Sequence, residues 1–241
     1  MQACYFTEKS VQYCIMIYEQ IYEGRFLSRP NRFLALVERN GIVETCHVKN
    51  TGRCRELLIP GAVVYIQKAK NPVRKTKFDL IAVWKGKRLI NLDSSAPNGV
   101  FYEWAKAGHF SPNSERVLKE QAWGDSRLDF LVETKLRRTL VEVKGVTLEQ
   151  DGVVRFPDAP TQRGVKHIET LCRAVEQGWD ACLFFVVQME GVRYFTPNDE
   201  THPAFGAALR RAAKAGVRLM AYDCTVKPEE IALRAPVEIR L

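Results

Sequence analysis

From residue 20 to about 93, apolar and polar positions alternate with a period of two, in short runs separated by turn signals, which predicts strands. RFLALVER and IVETCHV flank Asn40-Gly41, a dipeptide suited to the positive φ angles of a type I′ hairpin. The Gly-containing loop NTGRCRELLIPG leads to AVVYIQKAK, the basic link NPVRKTK leads to FDLIAVW, and RLINL follows Lys85-Gly86-Lys87. Five short strands with basic connections fit a small barrel of the oligonucleotide-binding (OB) type. Past Ser94-Ser95-Ala96-Pro97-Asn98-Gly99 the pattern changes to helices alternating with strands, which sets a domain boundary near residue 95. The second part reads as a helix over about 100–120, strands near 126–133 and 139–147, and a helix from Thr161 to Gln177 closed by Gly178. The apolar strand ACLFFVV, a helix near 203–215 closed by Gly216 and the strand VRLMAY complete it. Thr161 is a suitable N-cap, and Val165, Ile168, Leu171, Cys172 and Val175 share one helical face.

The expected architecture is α+β / α/β: a five-stranded OB-like barrel over residues 18–94, then an α/β domain with a mixed central sheet over 95–241. Residues 1–17 fit neither domain and read as a leader, with Met16 as an alternative start to Met1. The composition, 46% hydrophobic and 27% charged, supports a packed core. No run of eighteen apolar residues and no signal-peptide layout is present, so a cytoplasmic protein without membrane contact is expected. The cysteines at 4, 14, 46, 54, 172, 182 and 224 form no CxxC pair, which argues against zinc or dithiol chemistry and for reduced, mostly buried thiols. Charge is concentrated: residues 49–88 hold eleven Lys/Arg and two acids, 11 − 2 = +9, against +8 for the whole chain. Such a patch suits a phosphate backbone, and a solvated basic surface is the alternative.

The chemistry is carried by SRLDFLVETKLRRTLVEVKGVTL, two alternating strands joined by a short charged turn. Glu142 and Lys144 are two apart and leave the same face of one strand, with Val141 and Val143 on the other. Asp129 lies between Leu128 and Phe130 in the preceding strand, where an ionised carboxylate needs a partner or a metal. Pairing of the two strands brings Asp129 towards Glu142. Two adjacent carboxylates form a hard oxygen site of the kind that holds Mg²⁺ or Mn²⁺, and Lys144 is placed to orient a water or stabilise a phosphorane. The plainer alternative is an amphipathic hairpin in which Glu142 and Lys144 are a solvated pair and Asp129 is satisfied by Arg127 or a backbone amide.

The D-x(12)-E-x-K arrangement resembles the PD-(D/E)xK restriction-endonuclease-like superfamily, with Leu128 where Pro is expected. More specifically, EGRFLSRPNRF, HVKNTGRCRELLIPGA, SRLDFLVE, LVEVKGVTL and FPDAPTQRGVKHIETL resemble the sugar fermentation stimulation protein A (SfsA) family from about Tyr18 to the C-terminus. The resemblance implies an OB-like barrel joined to a nuclease-like α/β domain, DNA binding, and a regulatory role in sugar (maltose) metabolism. Superfamily sites often add a glutamate from a helix before the first strand, which puts forward Glu120, then Glu115, against the reading of exposed helix acids. Gln162, Arg163, Lys166 and His167 open a helix whose N-terminal amides favour an anion. His167 reads either as a proton-transfer group or as a hydrogen-bonded surface histidine. Asp158 is either a turn former between Pro157 and Pro160 or a further metal-side acid. In the barrel, Arg29, Arg32, Lys49, Arg53 and Arg55 are the expected phosphate contacts, with Phe33 or Tyr65 as stacking surfaces.

Two functions follow: a Mg²⁺- or Mn²⁺-dependent phosphodiesterase acting on DNA, or a non-catalytic DNA-binding regulator on a nuclease-like fold. A binder of a small anionic ligand is a third class, which no Walker or Rossmann glycine loop supports. DNA and RNA, endo- and exonuclease action, and monomer and homodimer all fit the sequence.

Overall fold

The computed structural model describes residues 15–50 and 52–241. A short strand β1 (Ile15–Ile17) precedes the barrel strands β2 (Ile21–Asn31), β3 (Leu34–Arg39), β4 (Ile42–Val48), β5 (Val63–Lys68), β6 (Phe78–Lys85) and β7 (Arg88–Asn91). Asn40 and Gly41 take φ angles of 54° and 76° at the β3–β4 turn, as the hairpin signal requires. The order is β4-β3-β2-β5-β6-β7, and a parallel β4–β6 pairing closes five of these strands into a barrel. The closing five are β2 to β6. The sequence reading counted β7 and missed β2, whose segment IYEGRFLSRPN has charged residues and a Pro where an apolar run would announce a strand. Gly24 in β2 allows β3 to approach, since a Cβ there would meet Val37 Cγ1 at 2.5 Å.

β6 binds the two domains together. Its first six residues are all buried because both faces are covered. Phe78, Leu80 and Val83 enter the barrel core, while Ile81 and Ala82 join Val100 and Phe101 of helix α1 (Ala96–Lys106). The α/β domain continues with β8 (Arg116–Trp123), β9 (Ser126–Glu133), β10 (Arg138–Val146), β11 (Leu148–Gln150), β12 (Val153–Phe156), α2 (Gln162–Glu176), β13 (Asp180–Val187), β14 (Tyr194–Pro197), α3 (Pro203–Ala215), β15 (Arg218–Lys227) and β16 (Glu230–Pro236). The seven-stranded mixed sheet has the order β1-β16-β15-β13-β10-β9-β8, with β13 parallel to both β10 and β15. A second, three-stranded sheet is ordered β11-β12-β14. The apolar cluster of the barrel interior runs on into the layer beneath α2 and α3, through Ile168, Leu171, Phe185 and Leu209. Thr161 caps α2 by accepting from Gly164 N at 3.0 Å, and Gly216 closes α3 in the left-handed region at φ 95°.

Two expectations change. The helix expected over 100–120 starts at Ala96 and ends at Lys106, and residues 116–123 form the edge strand β8. Pro97 and Gly99 read as a turn, yet Pro is tolerated in a first helical turn, where its missing N–H has no partner to lose. Residues 15–17, assigned to a leader, pair antiparallel with β16 through Ile15↔Ala232 and Ile17↔Glu230. Cys4 and Cys14 lie outside the described residues. Cys46, Cys54, Cys182 and Cys224 are buried, Cys172 is half-buried, and all five are free thiols. Burial pushes the thiols of Cys46, Cys54 and Cys182 up to about 12, so none of these three supplies a thiolate nucleophile at neutral pH. Among the described residues no helix is long and apolar enough to cross a membrane.

Part of the basic segment serves the domain junction. Lys85 and Arg88 reach across to the buried carboxylate of Glu149 at 2.8 and 2.9 Å, and Arg88 also donates to the carbonyls of Glu190 and Gly191. Removing one partner of a buried ion pair costs roughly 3–5 kcal/mol. Lys85 and Arg88 keep 31% and 26% of their side-chain exposure, which discounts that figure. Glu149→Ala is therefore expected to lower the unfolding free energy by about 2 kcal/mol, read as a lower urea midpoint at unchanged m-value.

Candidate active site

β9 and β10 pair antiparallel from Glu133↔Arg138 to Phe130↔Val141, and one step further the same register sets Asp129 opposite Glu142. The ladder stops there. The Asp129 carboxylate takes the place of the backbone acceptor: Val143 N donates to Asp129 Oδ2 at 2.8 Å, and Asn98 Nδ2 in the first turn of α1 donates to Oδ1 at 2.9 Å. Asp129 is thus satisfied by a backbone amide and Asn98. Arg127 instead pairs with Glu120.

Glu142 is 2% exposed, which rules out a solvated pair. Its Oε1 accepts from both Lys144 Nζ and His167 Nδ1, while Oε2 is buried with no hydrogen-bond partner. Arg163 Nε donates to His167 Nε2 at 3.3 Å, so the network assigns the imidazole proton to Nδ1, facing Glu142. His167 is buried, not a surface residue, because the face of α2 that carries Gly164, Ile168 and Leu171 lies against β10 and β13. The two carboxyl groups are pushed in opposite directions. Burial raises Asp129, and the nearby Glu142 charge adds to this. Burial also opposes ionisation of Glu142, but the His167 hydrogen bond and the Lys144 charge outweigh it and hold the group below the usual range. Such a divided pair keeps one carboxylate ionised beside one that takes up a proton more readily.

The other expected site residues are dispersed. Glu120 lies in β8 at φ 51°, between the pairs Lys119↔Phe130 and Gln121↔Leu128, so its backbone runs beside Asp129. Its carboxylate is exposed and turned to Arg127 at 3.0 Å. Glu115 sits at the far end of that strand pair, its amide on Glu133 O. Neither is on a helix. Arg29 donates to the carbonyls of Gly52, Arg53, Arg32 and Asn50 at 2.7–3.0 Å, which makes it a brace of that loop. Lys49 is drawn to Asp93 at 3.2 Å and Asp79 at 3.8 Å, and Lys166 to Asp125 at 3.1 Å. Arg32, Arg53 and Arg55 line depressions around residues 50–55. Arg32 lies over the Phe33 ring at 4.6 Å, and Phe33 is 45% exposed, whereas Tyr65 is bonded to Glu23 and Trp84. Asp158 accepts from Arg53 N at 3.0 Å, so it fastens the barrel loop to the α/β domain. Gln162 is the first residue of α2, and no side-chain bond of it is seen among the described residues.

Family models described as "SfsA N-terminal OB domain" and "Sugar fermentation stimulation protein RE domain" match residues 27–92 and 95–230. The chain belongs to the sugar fermentation stimulation protein family. Similar relatives are the sugar fermentation stimulation protein homologs of Desulfitobacterium hafniense (strain Y51), 54% identical over 94% of this chain and 99% of that protein, and of Ruminiclostridium cellulolyticum, 52% identical over 94% and 100%. The structure of Pyrococcus furiosus SfsA in complex with Ca²⁺ matches with a TM-score of 0.85 at 27% identity, over 94% of this chain and 98% of that one.

In this member of the sugar fermentation stimulation family, three features of the site escaped the sequence reading. Asn98 lies in a segment whose Ser, Pro and Gly residues signal a turn. The His167–Glu142 contact crosses 25 residues and was not read as a pair. Gly145, next to Lys144, has no side chain because two others need the space: a Cβ there would meet Gln188 Oε1 at 2.5 Å and Pro97 Cγ at 2.7 Å. Gln188 cannot yield freely, since its Nε2 donates to Asn91 Oδ1, Asn91 O and Asp93 O. Gly145→Ala is expected to cost about 1–3 kcal/mol by overpacking, measured by chemical denaturation.

Proposed function

We propose that this chain is a metal-dependent phosphodiesterase acting on DNA, with Asp129, Glu142 and Lys144 as its reacting set and the barrel as its substrate holder. The observation that supports this reading is the unpartnered, buried Oε2 of Glu142 beside the Asp129 carboxylate. A buried acceptor without a donor is costly, and a divalent cation removes that cost. Among the described residues no group of three or more His, Cys, Asp or Glu is arranged to hold a metal. Two carboxylates alone suit Mg²⁺ or Mn²⁺, which take the rest of their coordination from water and substrate phosphate. A fold relative described in complex with Ca²⁺, another oxygen-seeking cation, agrees with that choice.

A cation held by Asp129 and Glu142 Oε2 would supply Lewis-acid polarisation of the phosphate and a more acidic water. The chain's own groups do the remainder. Val143 N and Asn98 fix the direction of Asp129. His167, donating from Nδ1, holds Glu142 in one rotamer with Oε2 free. Lys144, 15% exposed at the side chain, offers its ammonium to the charge that grows on the phosphate oxygens. Arg32, Arg53 and Arg55, which line the depressions at the domain junction, and Arg163 in the first turn of α2 are the cations offered to the DNA backbone.

The test is incubation of labelled DNA with Mg²⁺, Mn²⁺ or EDTA. Cleavage is expected only with the metals, and Glu142→Gln and Lys144→Ala are each expected to lower it about 10²–10³-fold while binding persists. Salt-sensitive binding with no cleavage under any metal would overturn the catalytic reading and leave a DNA-binding regulator.

A further inference from the structure

Two depressions at the junction of the barrel and the α/β domain, of about 400 Å³ and about 470 Å³, meet around Arg32, Gly52 and Ala159. Arg32 and Arg155 line the first, one from each domain, and Arg53 and Arg55 line the second. Among the described residues none of these four arginines forms an ion pair, unlike Lys49, Lys70, Arg74, Lys85 and Arg88 of the same basic segment and its surroundings. The acid in the wall is Asp158, and its Oδ2 is occupied by the Arg53 amide.

The first depression is built from the segments that carry the reacting groups. Ser94 in its wall precedes α1, whose Asn98 holds Asp129; Gly145 follows Lys144; and Thr161 caps α2, which carries His167. We infer that this groove takes one unpaired strand of nucleic acid and leads it to Asp129, Glu142 and Lys144, so that the substrates are single strands or single-stranded ends. A depression of a few hundred Å³ accepts one nucleotide-sized group at a time, whereas a base pair with both its backbones does not enter. Single-strand sites combine a cationic groove that follows the backbone with an aromatic face for a base, and the half-exposed Phe33 ring beside Arg32 supplies that face at the rim. The direction of the strand rests on the phosphodiesterase reading, and its binding does not.

The experiment measures anisotropy of labelled oligo-dT, oligo-U and a hairpin duplex on the full chain in EDTA at several salt concentrations, so that no cleavage intervenes. Single strands are expected to bind at least tenfold more tightly than the duplex, and the two single-strand arms separate DNA from RNA. Arg32→Glu and Arg155→Glu are each expected to weaken single-strand binding tenfold or more and to flatten its salt dependence by about one counterion. Arg155→Ala, with an unchanged thermal midpoint, guards against loss by misfolding and is expected to give a smaller weakening in the same direction. Equal affinity for duplex and single strand, or arginine variants that bind single strands like the parent, would overturn the inference. If cleavage fails under every metal while the strand preference and its loss in the variants hold, the groove stands and the catalytic reading falls. If cleavage of blunt duplex proceeds unchanged in the variants, the site stands and the groove falls.

Discussion

The Glu142 carboxylate, buried in the middle of a sheet, is the constraint around which the α/β domain is arranged. Two donors converge on one of its oxygens, and each comes from a different place: Lys144 from the same strand, His167 from α2. The lysine reaches it because the two side chains leave the same face of β10, and where the β9–β10 ladder ends beside them the Asp129 side chain accepts the Val143 amide. For the histidine to reach it, α2 must lie close over β10, which Thr161 at the helix start and the apolar face of Ile168 and Leu171 secure. Charge burial of this kind is weak as a source of stability and strong as a source of geometry, because each misplaced partner leaves an uncompensated group.

The barrel is joined to this arrangement through several independent ties. β6 is covered on both faces, Lys85 and Arg88 reach across to Glu149, and Asp158 reaches back to Arg53. Gln188 closes a polar set with Asn91 and Asp93 directly beside Gly145. These bonds are of different chemistry but act on the same junction, so the position of the barrel relative to the carboxylates is set by packing and hydrogen bonds together.

What could be read in the sequence follows the same physics. The Asp129–Glu142–Lys144 set was legible because a strand has a fixed period of two and a hairpin has a fixed register, so spacing converts directly into proximity. The caps of α2 and α3 were legible because Thr161 and Gly216 carry local signals. β2 was not, since its stability lies in pairing with β3 and β5 and not in its own composition. β8 was read as the end of a helix, because RVLKEQAW lacks turn residues and an edge strand needs only one partner. The functions of Arg29, Lys49 and Asp158 were hidden for a different reason: a sequence shows that a residue is charged, but the partner that satisfies it lies far along the chain, 105 residues away for Asp158 and Arg53.

The pairing of β1 with β16 gives the molecule an order of assembly. Ile15 meets Ala232, so the first described strand has no partner until all the elements between it and β16 have been synthesised. The barrel strands between them pair mostly with sequence neighbours and can close while the remainder of the chain is still being made. Tyr18, whose amide donates to Glu229 O and whose hydroxyl accepts from Asn91, then anchors the opening segment to both parts at once. The edge of the sheet therefore closes on a contact that spans more than two hundred residues, whereas the barrel closes on contacts that are mostly local.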